Sequence, residues 1–241
     1  MNQSVPPRDH TTLPWETLDT PGGKSQPIAQ HIAAHTAQRI VERHYREGDL
    51  LTEVELAAQH GASRTPAREA MLQLQRWGLV RIAPKKGATV TALTPNDVLD
   101  LIAVRVMFET QAVTRLTDQP HELETLGHDL TILLDRQEAS TNTTDALAFA
   151  ADDYRFHARI IRSSGNTVIT GMLDNLAPRL ARLTYQAVLA NPHLITTFLT
   201  EHHTLAQLAQ QGNATAFGEL ATRHLHNAHF PTTPPQPTDA P

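Results

Sequence analysis

The chain has 241 residues, a formal net charge of −5, 40% hydrophobic residues and 19% charged residues. This length allows one large domain or two smaller domains, each with its own hydrophobic core. No apolar run is long enough to span a bilayer, and the amino terminus lacks the apolar region of a signal peptide, so we expect a cytoplasmic protein without a membrane partner. The absence of cysteine excludes disulfides and thiolate ligands, which leaves histidines and carboxylates for any metal site.

The two ends of the chain are predicted to be disordered. Residues 1–27 are rich in Pro, Thr and Gly and lack helical periodicity, and residues 231–241 form a tail of similar composition. Segments of this kind bury too little apolar surface to offset the entropy lost on folding. We therefore expect a disordered arm before residue 28 and a disordered tail after residue 230.

Residues 28–94 begin with two predicted helices. Apolar residues recur at helical spacing from Ile28 onward, and this first helix is predicted to end near Gly48. Thr52 stands at the N-cap position of a short second helix, and Glu55 three residues later completes a predicted capping box. Gly61 is predicted to end this second helix.

A third helix and a hairpin complete this segment. The helix is predicted to have Thr65 as its N-cap, Pro66 at its first position and Gly78 at its end. Two short β-prone runs then flank residues 85–87, which is the signal of a β-hairpin. The order of helix, helix, tight turn, helix and hairpin predicts a winged helix-turn-helix.

Residues 95–230 are predicted to be helical throughout. Pro and Gly residues divide this segment into six helices, near residues 95–118, 121–140, 144–164, 167–190, 193–211 and 213–228. Pro178 lies inside the fourth helix and is expected to kink or split it. The predicted fold is therefore mainly α, with an amino-terminal winged helix-turn-helix and a carboxyl-terminal antiparallel helical bundle.

The basic residues are concentrated in the winged helix-turn-helix. Residues 28–94 contain nine Lys or Arg and six Asp or Glu, and between Arg64 and Lys86 there are six basic residues against one acidic residue. Such a patch on an acidic protein indicates a surface for a polyanion, while a solvated basic surface is the alternative. In a helix-turn-helix, the start of the second helix of the motif faces base edges in the major groove. The predicted DNA-binding residues are Ser63, Arg64, Thr65, Arg68, Lys85, Lys86 and Gly87.

The stretch LTEVELAAQHGASRTPAREAMLQLQRWGLVRIAPKKGATV, residues 51–90, resembles the winged helix of the GntR family of bacterial transcription regulators. The positions that match the family pattern are Leu56, Ala57, Gly61, Ser63, Arg64, Thr65, Pro66, Arg68, Glu69, Ala70 and Gly78. The resemblance implies binding to double-stranded operator DNA, with contacts from residues 63–65 and from Arg68. Val54 departs from the pattern, because many members carry an Arg there that helps to hold DNA. We therefore expect a different affinity or operator preference.

Four polar residues in the helical segment could form one cluster. Asp153 and His157 are four residues apart and lie on one helical face. An ion pair, a catalytic pair and a metal site are the three interpretations of this spacing. His202 and His224 lie at similar distances on either side of Gly212, around which the last two helices are expected to form an antiparallel pair. This would bring one carboxylate and three imidazoles together, a ligand set that suits a divalent Zn, Ni, Mn or Fe ion.

The helical segment resembles the FCD-type effector domain of the FadR subgroup, through RVMFE (105–109), DDYRFH (152–157), SGN (164–166), EH (201–202) and RHL (223–225). The metal motif of that subgroup, an Asp, a His four residues later and two His twenty-two residues apart, selects Asp153, His157, His202 and His224. The resemblance also implies a small carboxylate effector. Arg105 is a candidate for binding it, with an ion pair to Glu109 as the alternative, and Asn166 is interpreted as a helix N-cap.

Three functions compete at this point. The favoured one is a ligand-responsive repressor that binds operator DNA as a homodimer, with an effector that shifts the arrangement of the two winged helices. The second is a regulator whose metal ion is purely structural, or is itself the signal. The third is a metal-dependent enzyme, which we do not expect because the chain lacks an HExxH pair and has no evident general base beside the predicted ligands.

Overall fold

The structure is a computed structural model that describes residues 13, 15, 16, 27–84 and 86–231. Over these residues the chain forms an amino-terminal domain of three helices and a small sheet, followed by a bundle of longer helices. This confirms the predicted fold class, a mainly α protein with a winged helix-turn-helix before a helical bundle. None of the described helices is both long enough and apolar enough to cross a membrane.

The amino-terminal domain has the element order expected of a winged helix-turn-helix. Its elements are α1 (Ile28–Val41), β1 (Leu50–Leu51), α2 (Glu53–Gln59), α3 (Arg64–Arg76), β2 (Val80–Ala83) and β3 (Gly87–Val90). Strand β3 lies in the centre of the sheet and pairs antiparallel with both β1 and β2. The β2–β3 hairpin is the predicted one, whereas β1 has only two residues and gives no readable signal in the sequence.

Local sequence signals explain most of the boundaries in this domain. Thr52 accepts a hydrogen bond from the backbone N–H of Glu55, and the Glu55 carboxylate accepts one from the backbone N–H of Thr52, so the predicted capping box is confirmed. The first helix is shorter than predicted and ends at Val41, because Arg43 turns the backbone into the left-handed region with φ 65°.

The predicted start of α3 was wrong by two residues. Helix α3 begins at Arg64, and the extended residue before it is Ser63, so Thr65 lies within the first turn and is not the N-cap. Pro66 is tolerated in that turn because the first N–H groups of a helix have no intrahelical acceptor. The side chain of Ser63 makes no capping hydrogen bond, so its hydroxyl is available for other partners.

Part of the predicted disordered arm is packed against the protein. Leu13 and Trp15 are buried in the hydrophobic core, and the carboxylate of Glu16 forms an ion pair with Arg155 of the bundle. Disorder was therefore the wrong expectation for these residues, because two large apolar side chains outweigh the polar composition around them. Pro27 is described as the residue before α1, whereas the other residues of the arm, and the tail beyond residue 231, lie outside the described residues.

The second domain consists of six long helices joined by short turns. They are α4 (Pro95–Leu116), α5 (Pro120–Asn142), α6 (Ala146–Ser163), α7 (Thr167–Ala190), α8 (Ile195–Gln210) and α9 (Ala214–His229), with a single 3₁₀ turn (Pro192–Leu194) before α8. Their bounds agree with the predicted ones to within a few residues. Helix α7 is continuous through the buried Pro178, so the expected split does not occur.

The two domains share one hydrophobic core and are joined by a buried arginine. Apolar residues of the winged helix-turn-helix and of helices α4, α6 and α7 form one continuous cluster, while a second cluster fills the other end of the bundle. Arg182 of α7 donates hydrogen bonds to the backbone carbonyl of Thr91 at 2.6 Å and to the carboxylate of Glu47 at 3.1 Å. Helix α7 therefore belongs to the bundle and also holds the amino-terminal domain.

Gly87 provides a test of the sheet geometry. Its φ is 95°, and an added Cβ would lie 2.5 Å from the backbone oxygen of Leu51, whereas Gly48 has a similar φ of 88° with nothing within 4 Å. We expect Gly48→Ala to lower the free energy of unfolding by about 1–2 kcal/mol through backbone strain alone. Gly87→Ala should cost at least ~1 kcal/mol more, because β1 must move away from β3. Urea denaturation measures both, and equal losses would contradict the close approach.

Candidate metal centre and nucleic-acid interface

Three histidines from different helices meet in the centre of the bundle. They are His157 of α6, His202 of α8 and His224 of α9, and all three are buried. The Nε2 atom of His202 lies 3.3 Å from Nε2 of His157 and 3.2 Å from Nε2 of His224. One ring nitrogen of each residue thus points to a common centre, and these atoms lie within 4.8 Å of one another.

Asp153 faces the same centre. Its Oδ1 atom is 3.8 Å from Nε2 of His157, one helical turn away, and its Oδ2 atom is 3.7 Å from Nε2 of His202. These distances are too long for direct hydrogen bonds, but they are compatible with a carboxylate that shares an ion with the imidazoles. The structure therefore brings together all four residues that the sequence predicts for a metal site.

The outer nitrogen of each imidazole has an acceptor. Nδ1 of His157 lies 2.9 Å from a carboxylate oxygen of Glu109, and Nδ1 of His224 lies 2.6 Å from one of Glu201. Nδ1 of His202 lies 2.7 Å from Oε1 of Gln137, whose amide nitrogen donates to a backbone carbonyl. Because these acceptors favour the tautomer with its proton on Nδ1, each Nε2 atom directs a lone pair at the centre.

Burial favours the neutral forms of His157 and His202. It lowers the pKa of His157 and of His202 well below the usual value for histidine, and neighbouring positive charge lowers both further. Burial also raises the pKa of Asp153, and it raises the pKa of Glu109 to about 7 despite the nearby arginine. Nε2 of His202 is in van der Waals contact with Nε2 of His157 and of His224, so these lone pairs repel one another, and a cation between them would remove that repulsion. The arrangement can therefore accept a metal ion through nitrogen and oxygen.

Arg105 makes the ion pair that was considered as the alternative to effector binding. It forms the ion pair with Glu109, with 3.0 Å between Nε and the carboxylate, and it also donates to the hydroxyl of Thr184 at 3.0 Å. Its remaining terminal nitrogen lies 3.6 Å from Asp153 and has no hydrogen-bond partner among the described residues. Arg105 is therefore paired, and it also presents a buried cationic nitrogen to the cluster.

The space around the cluster is small. Two cavities of about 10 Å³ each adjoin it, and Arg105 lines both of them. One cavity also touches His157, and the other touches Asp153 and His224. A volume of this size is about that of a single water molecule. An organic acid of several atoms would therefore need side chains to move before it could enter.

The predicted DNA-contacting residues lie on one exposed surface of the amino-terminal domain. Ser63, Arg64, Thr65 and Arg68 are exposed at the start of α3, and Lys86 is exposed at the tip of the hairpin. A groove of about 590 Å³ between α3 and the hairpin is lined by Arg64, Arg68, Lys86 and Gly87, among others. Lys85 lies outside the described residues.

Two of these residues have structural partners as well. Arg64 lies 3.3 Å from the carboxylate of Glu53, so contact with a phosphate would require Arg64 to leave an acidic neighbour. Gly87 is needed by the sheet because only glycine fits beside Leu51 with its positive φ. Val54, the departure from the family pattern, is exposed and lines the same groove.

The comparisons with known proteins agree with this two-domain arrangement. Residues 28–90 match the gntR family of bacterial regulatory proteins, and residues 100–227 match the FCD domain. The chain belongs to the GntR family and carries an FCD domain. It is a DNA-binding transcriptional regulator, in which the winged helix-turn-helix carries the gntR match and the helical bundle carries the FCD match.

Similar proteins within the GntR family include named repressors. The gluconate operon transcriptional repressor of Bacillus subtilis is 32% identical over 61% of this chain and 59% of its own length. An uncharacterized regulator from Agrobacterium vitis is 35% identical over 61% of this chain and 88% of its own length. The repressor RspR of Escherichia coli is 24% identical over 87% of this chain and 90% of its own length.

Solved structures of GntR-type regulators share the fold. The E. coli protein McbR/YncC superimposes with a TM-score of 0.68 at 19% identity, covering 84% of this chain and 95% of its own. A putative GntR regulator from Rhodococcus gives a TM-score of 0.69 at 20% identity, covering 83% of this chain and 95% of its own. At these identities the similarity supports the fold of the regulator and not its ligands.

Several residues of the centre were not identified from the sequence of this GntR-family chain. Glu201 stands next to His202, and Glu109 was considered only as the partner of Arg105. Gln137 lies on α5 without any recognisable motif, and only the packing of α5 against α6 and α8 brings it to the cluster. Asn166 is the N-cap of α7, as interpreted, because its side chain accepts from two backbone N–H groups.

A half-buried histidine near the centre makes the stability of the metal-free protein depend on pH. Burial, followed by the charges of Arg105 and His224, lowers the pKa of His229 to about 4. In the unfolded chain this histidine takes up a proton near pH 6.5, whereas in the folded chain it does so only near pH 4. The folded protein therefore has its full stability above pH 6.5 and loses stability as the pH falls towards 4. We expect the free energy of unfolding of His229→Gln to fall less between pH 7 and 4 than that of the parent chain, by on the order of 1–3 kcal/mol, as measured by urea denaturation.

The matched control is His226→Gln, at an exposed position on the same helix. It should keep the pH dependence of the parent chain. The assignment to His229 would be refuted if the parent chain and His229→Gln lost stability in parallel as the pH fell.

Proposed function

We propose that this regulator is a ligand-responsive repressor that binds double-stranded operator DNA as a homodimer. Its FCD domain would hold a divalent metal ion and, beside it, a small carboxylate effector. The observation that carries the proposal is the convergence of three Nε2 atoms, each with its other ring nitrogen directed to an acceptor, in the centre of the domain. A transcriptional regulator has no structural need for three converging lone pairs in its core unless a cation joins them.

The proposed metal ligands are Nε2 of His157, His202 and His224 together with a carboxylate oxygen of Asp153. Zn²⁺, Ni²⁺, Mn²⁺ and Fe²⁺ all accept such a set, and an ion with six ligands would keep positions for water or an acid. Glu109, Gln137 and Glu201 would hold the imidazole rings in the required tautomer and orientation.

The carboxylate effector is proposed from charge and location. Arg105 has a buried terminal nitrogen without a hydrogen-bond partner among the described residues, and it lines both cavities beside the cluster. An acid bound there would contact both the metal ion and Arg105. The small size of these cavities favours a second candidate, in which the metal ion alone is structural or is itself the signal.

Helix α7 offers a route from the centre to the DNA-binding domain. Arg105 donates to Thr184 of this helix, and two residues earlier Arg182 donates to Thr91 and Glu47 of the amino-terminal domain. A change at the metal centre that displaced Arg105 would therefore act on the helix that holds the winged helix-turn-helix. Coupling of this kind requires that the effector bind the DNA-competent and DNA-incompetent states with different affinities.

The proposed DNA surface is the start of α3 with the tip of the hairpin. Support comes from the exposed Arg64 and Arg68 beside Lys86, and from the excess of basic residues in this part of an acidic chain. The N-terminus of α3 also favours a phosphate. Repression is proposed because similar proteins are named as repressors, among them that of the gluconate operon.

The metal site is tested by replacing one ligand. We expect His202→Ala to lower the content of tightly bound metal by about one ion per chain, because the buried imidazole lies between the other two. His203→Ala is the matched control, since His203 is adjacent in the sequence and exposed. Elemental analysis of both untagged variants, with circular dichroism to verify folding, measures the effect. An unchanged metal content in His202→Ala would refute the four-ligand site.

The DNA surface is tested on duplexes that the parent protein enriches from a random library. We expect Arg64→Ala and Arg68→Ala each to weaken binding by about 1–3 kcal/mol, roughly five- to 150-fold, and to leave the dimer folded. Arg76→Ala, at the exposed opposite end of α3, is the control and should bind as the parent does. Retained sequence-specific binding in both variants would contradict the assignment of α3 as the reading helix.

The effector is distinguished from a metal-only signal by separate titrations. Metal-free protein on its enriched duplex receives Zn²⁺ alone, then Zn²⁺ with gluconate or with a short dicarboxylate such as succinate. If the acid is the effector, DNA affinity changes only when metal and acid are both present. A full response to Zn²⁺ alone would favour the metal ion as the signal.

A further inference from the structure

A second group of three histidines lies in the DNA-binding domain, outside the centre described above. His31 and His35 are four residues apart on α1, so both project from one face of the helix. His60 follows the last residue of α2 and faces that pair. All three side chains are partly exposed, so the group can be reached from solvent.

The spacing of these rings resembles that of the triad in the bundle. The ring centroid of His60 lies 5.0 Å from that of His35 and 5.5 Å from that of His31. In the triad of His157, His202 and His224, the centroids are 4.8–5.6 Å apart. The rings of His31 and His35 thus both lie within 5.5 Å of that of His60, and binding of an ion requires the rings to rotate until one nitrogen of each points at a common centre.

Two buried ring nitrogens in this group make no hydrogen bond within the described part of the chain. Nδ1 of His35 and Nε2 of His60 are inaccessible to solvent and have no hydrogen-bond partner among the described residues. A buried polar atom without a partner costs on the order of 1–3 kcal/mol, so its occurrence calls for an explanation. Burial and the neighbouring positive charges also lower the pKa of both residues, which keeps their lone pairs free near neutral pH.

We propose that His31, His35 and His60 form a second binding site for a divalent transition-metal ion, such as Zn²⁺, Ni²⁺ or Cu²⁺. Imidazole nitrogens suit these ions, and water from the exposed side would complete the coordination. Among the described residues, no carboxylate or amide accepts a hydrogen bond from these rings as it does from the triad. The positive charge of Arg39, only partly offset by Glu42, also lies near His35. The site therefore binds its ion at least about tenfold more weakly than the bundle does.

The position of the site connects it to DNA recognition. His60 lies just before the turn of residues 61–63 that leads into α3, while His31 and His35 belong to the helix that packs against α3. An ion shared by these residues clamps α1 to the end of α2. Occupancy then stabilises the helix-turn-helix directly, without any signal passing through α7, and the site is independent of the function proposed for the bundle.

Zinc stoichiometry tests the second site on the full, untagged chain. Equilibrium dialysis against Zn²⁺ should give two ions per parent chain, a tight one and a weaker one. Replacing His202 and His224 with alanine should remove only the tight ion, and His35→Gln with His60→Gln should remove only the weaker one. His121→Gln with His128→Gln, at exposed positions on α5, is the matched control and should keep both ions.

The outcomes separate this site from the bundle site. The proposal is supported if the weak ion is lost in the His35 and His60 variant and in neither of the other two variants, whether or not the bundle binds metal. A parent chain that keeps no ion once His202 and His224 are replaced, or a weak ion that survives in the His35 and His60 variant, overturns it. If the variant does not fold, Cu²⁺ added to the His202 and His224 variant decides, because the imidazole NMR signals of His31, His35 and His60 must broaden before those of the other histidines.

Discussion

The organisation of this protein depends on three imidazole lone pairs that are held towards one point in the core of a helical bundle. The orientation is set from outside, by Glu109 of α4, Gln137 of α5 and Glu201 of α8, which accept hydrogen bonds from the outer Nδ1–H groups. Asp153 and Arg105 add a carboxylate and a guanidinium to the same buried space. Helices α4 to α9 therefore each contribute a polar residue to the centre, with Thr184 of α7 reached through Arg105.

Burying such a polar cluster lowers the stability of the folded protein unless a cation binds to it. Burial disfavours the charged forms of His157, His202 and Asp153, and the apolar packing around them, including Phe156 stacked on His202, leaves little room for water. A divalent cation would turn the mutual repulsion of the nitrogens into coordination. Metal binding and the stability of the bundle would then be coupled, so that loss of the ion would weaken the packing of α6, α8 and α9 together.

Much of this could be predicted from local signals. The i, i+4 spacing of Asp153 and His157 gave a shared face, and Gly212 gave the turn that sets His202 opposite His224, as the packing of α8 on α9 bears out. Gln137 could not be predicted, because its role depends only on how α5 packs. The start of α3 was misjudged, because Thr65 and Pro66 resemble a cap in sequence while the extended residue is Ser63.

The link between the two domains was also beyond the sequence. Nothing around Arg182 indicates that it reaches Thr91 and Glu47, residues that are about ninety and more than a hundred positions earlier in the chain. Arg182 lies on the continuous part of α7 after Pro178, where a kink or a split was expected. Because α7 contacts Arg105 beside the histidine cluster and also holds the DNA-binding domain, it would give the FCD domain a physical means to act on operator binding.

The most direct test is X-ray absorption spectroscopy of the protein loaded with one equivalent of Zn²⁺. The account predicts a first shell with three imidazole nitrogens and at least one oxygen at about 2.0–2.2 Å, and the loss of one imidazole from that shell in His224→Ala. A shell with fewer than three imidazoles, or one that His224→Ala leaves unchanged, would contradict it.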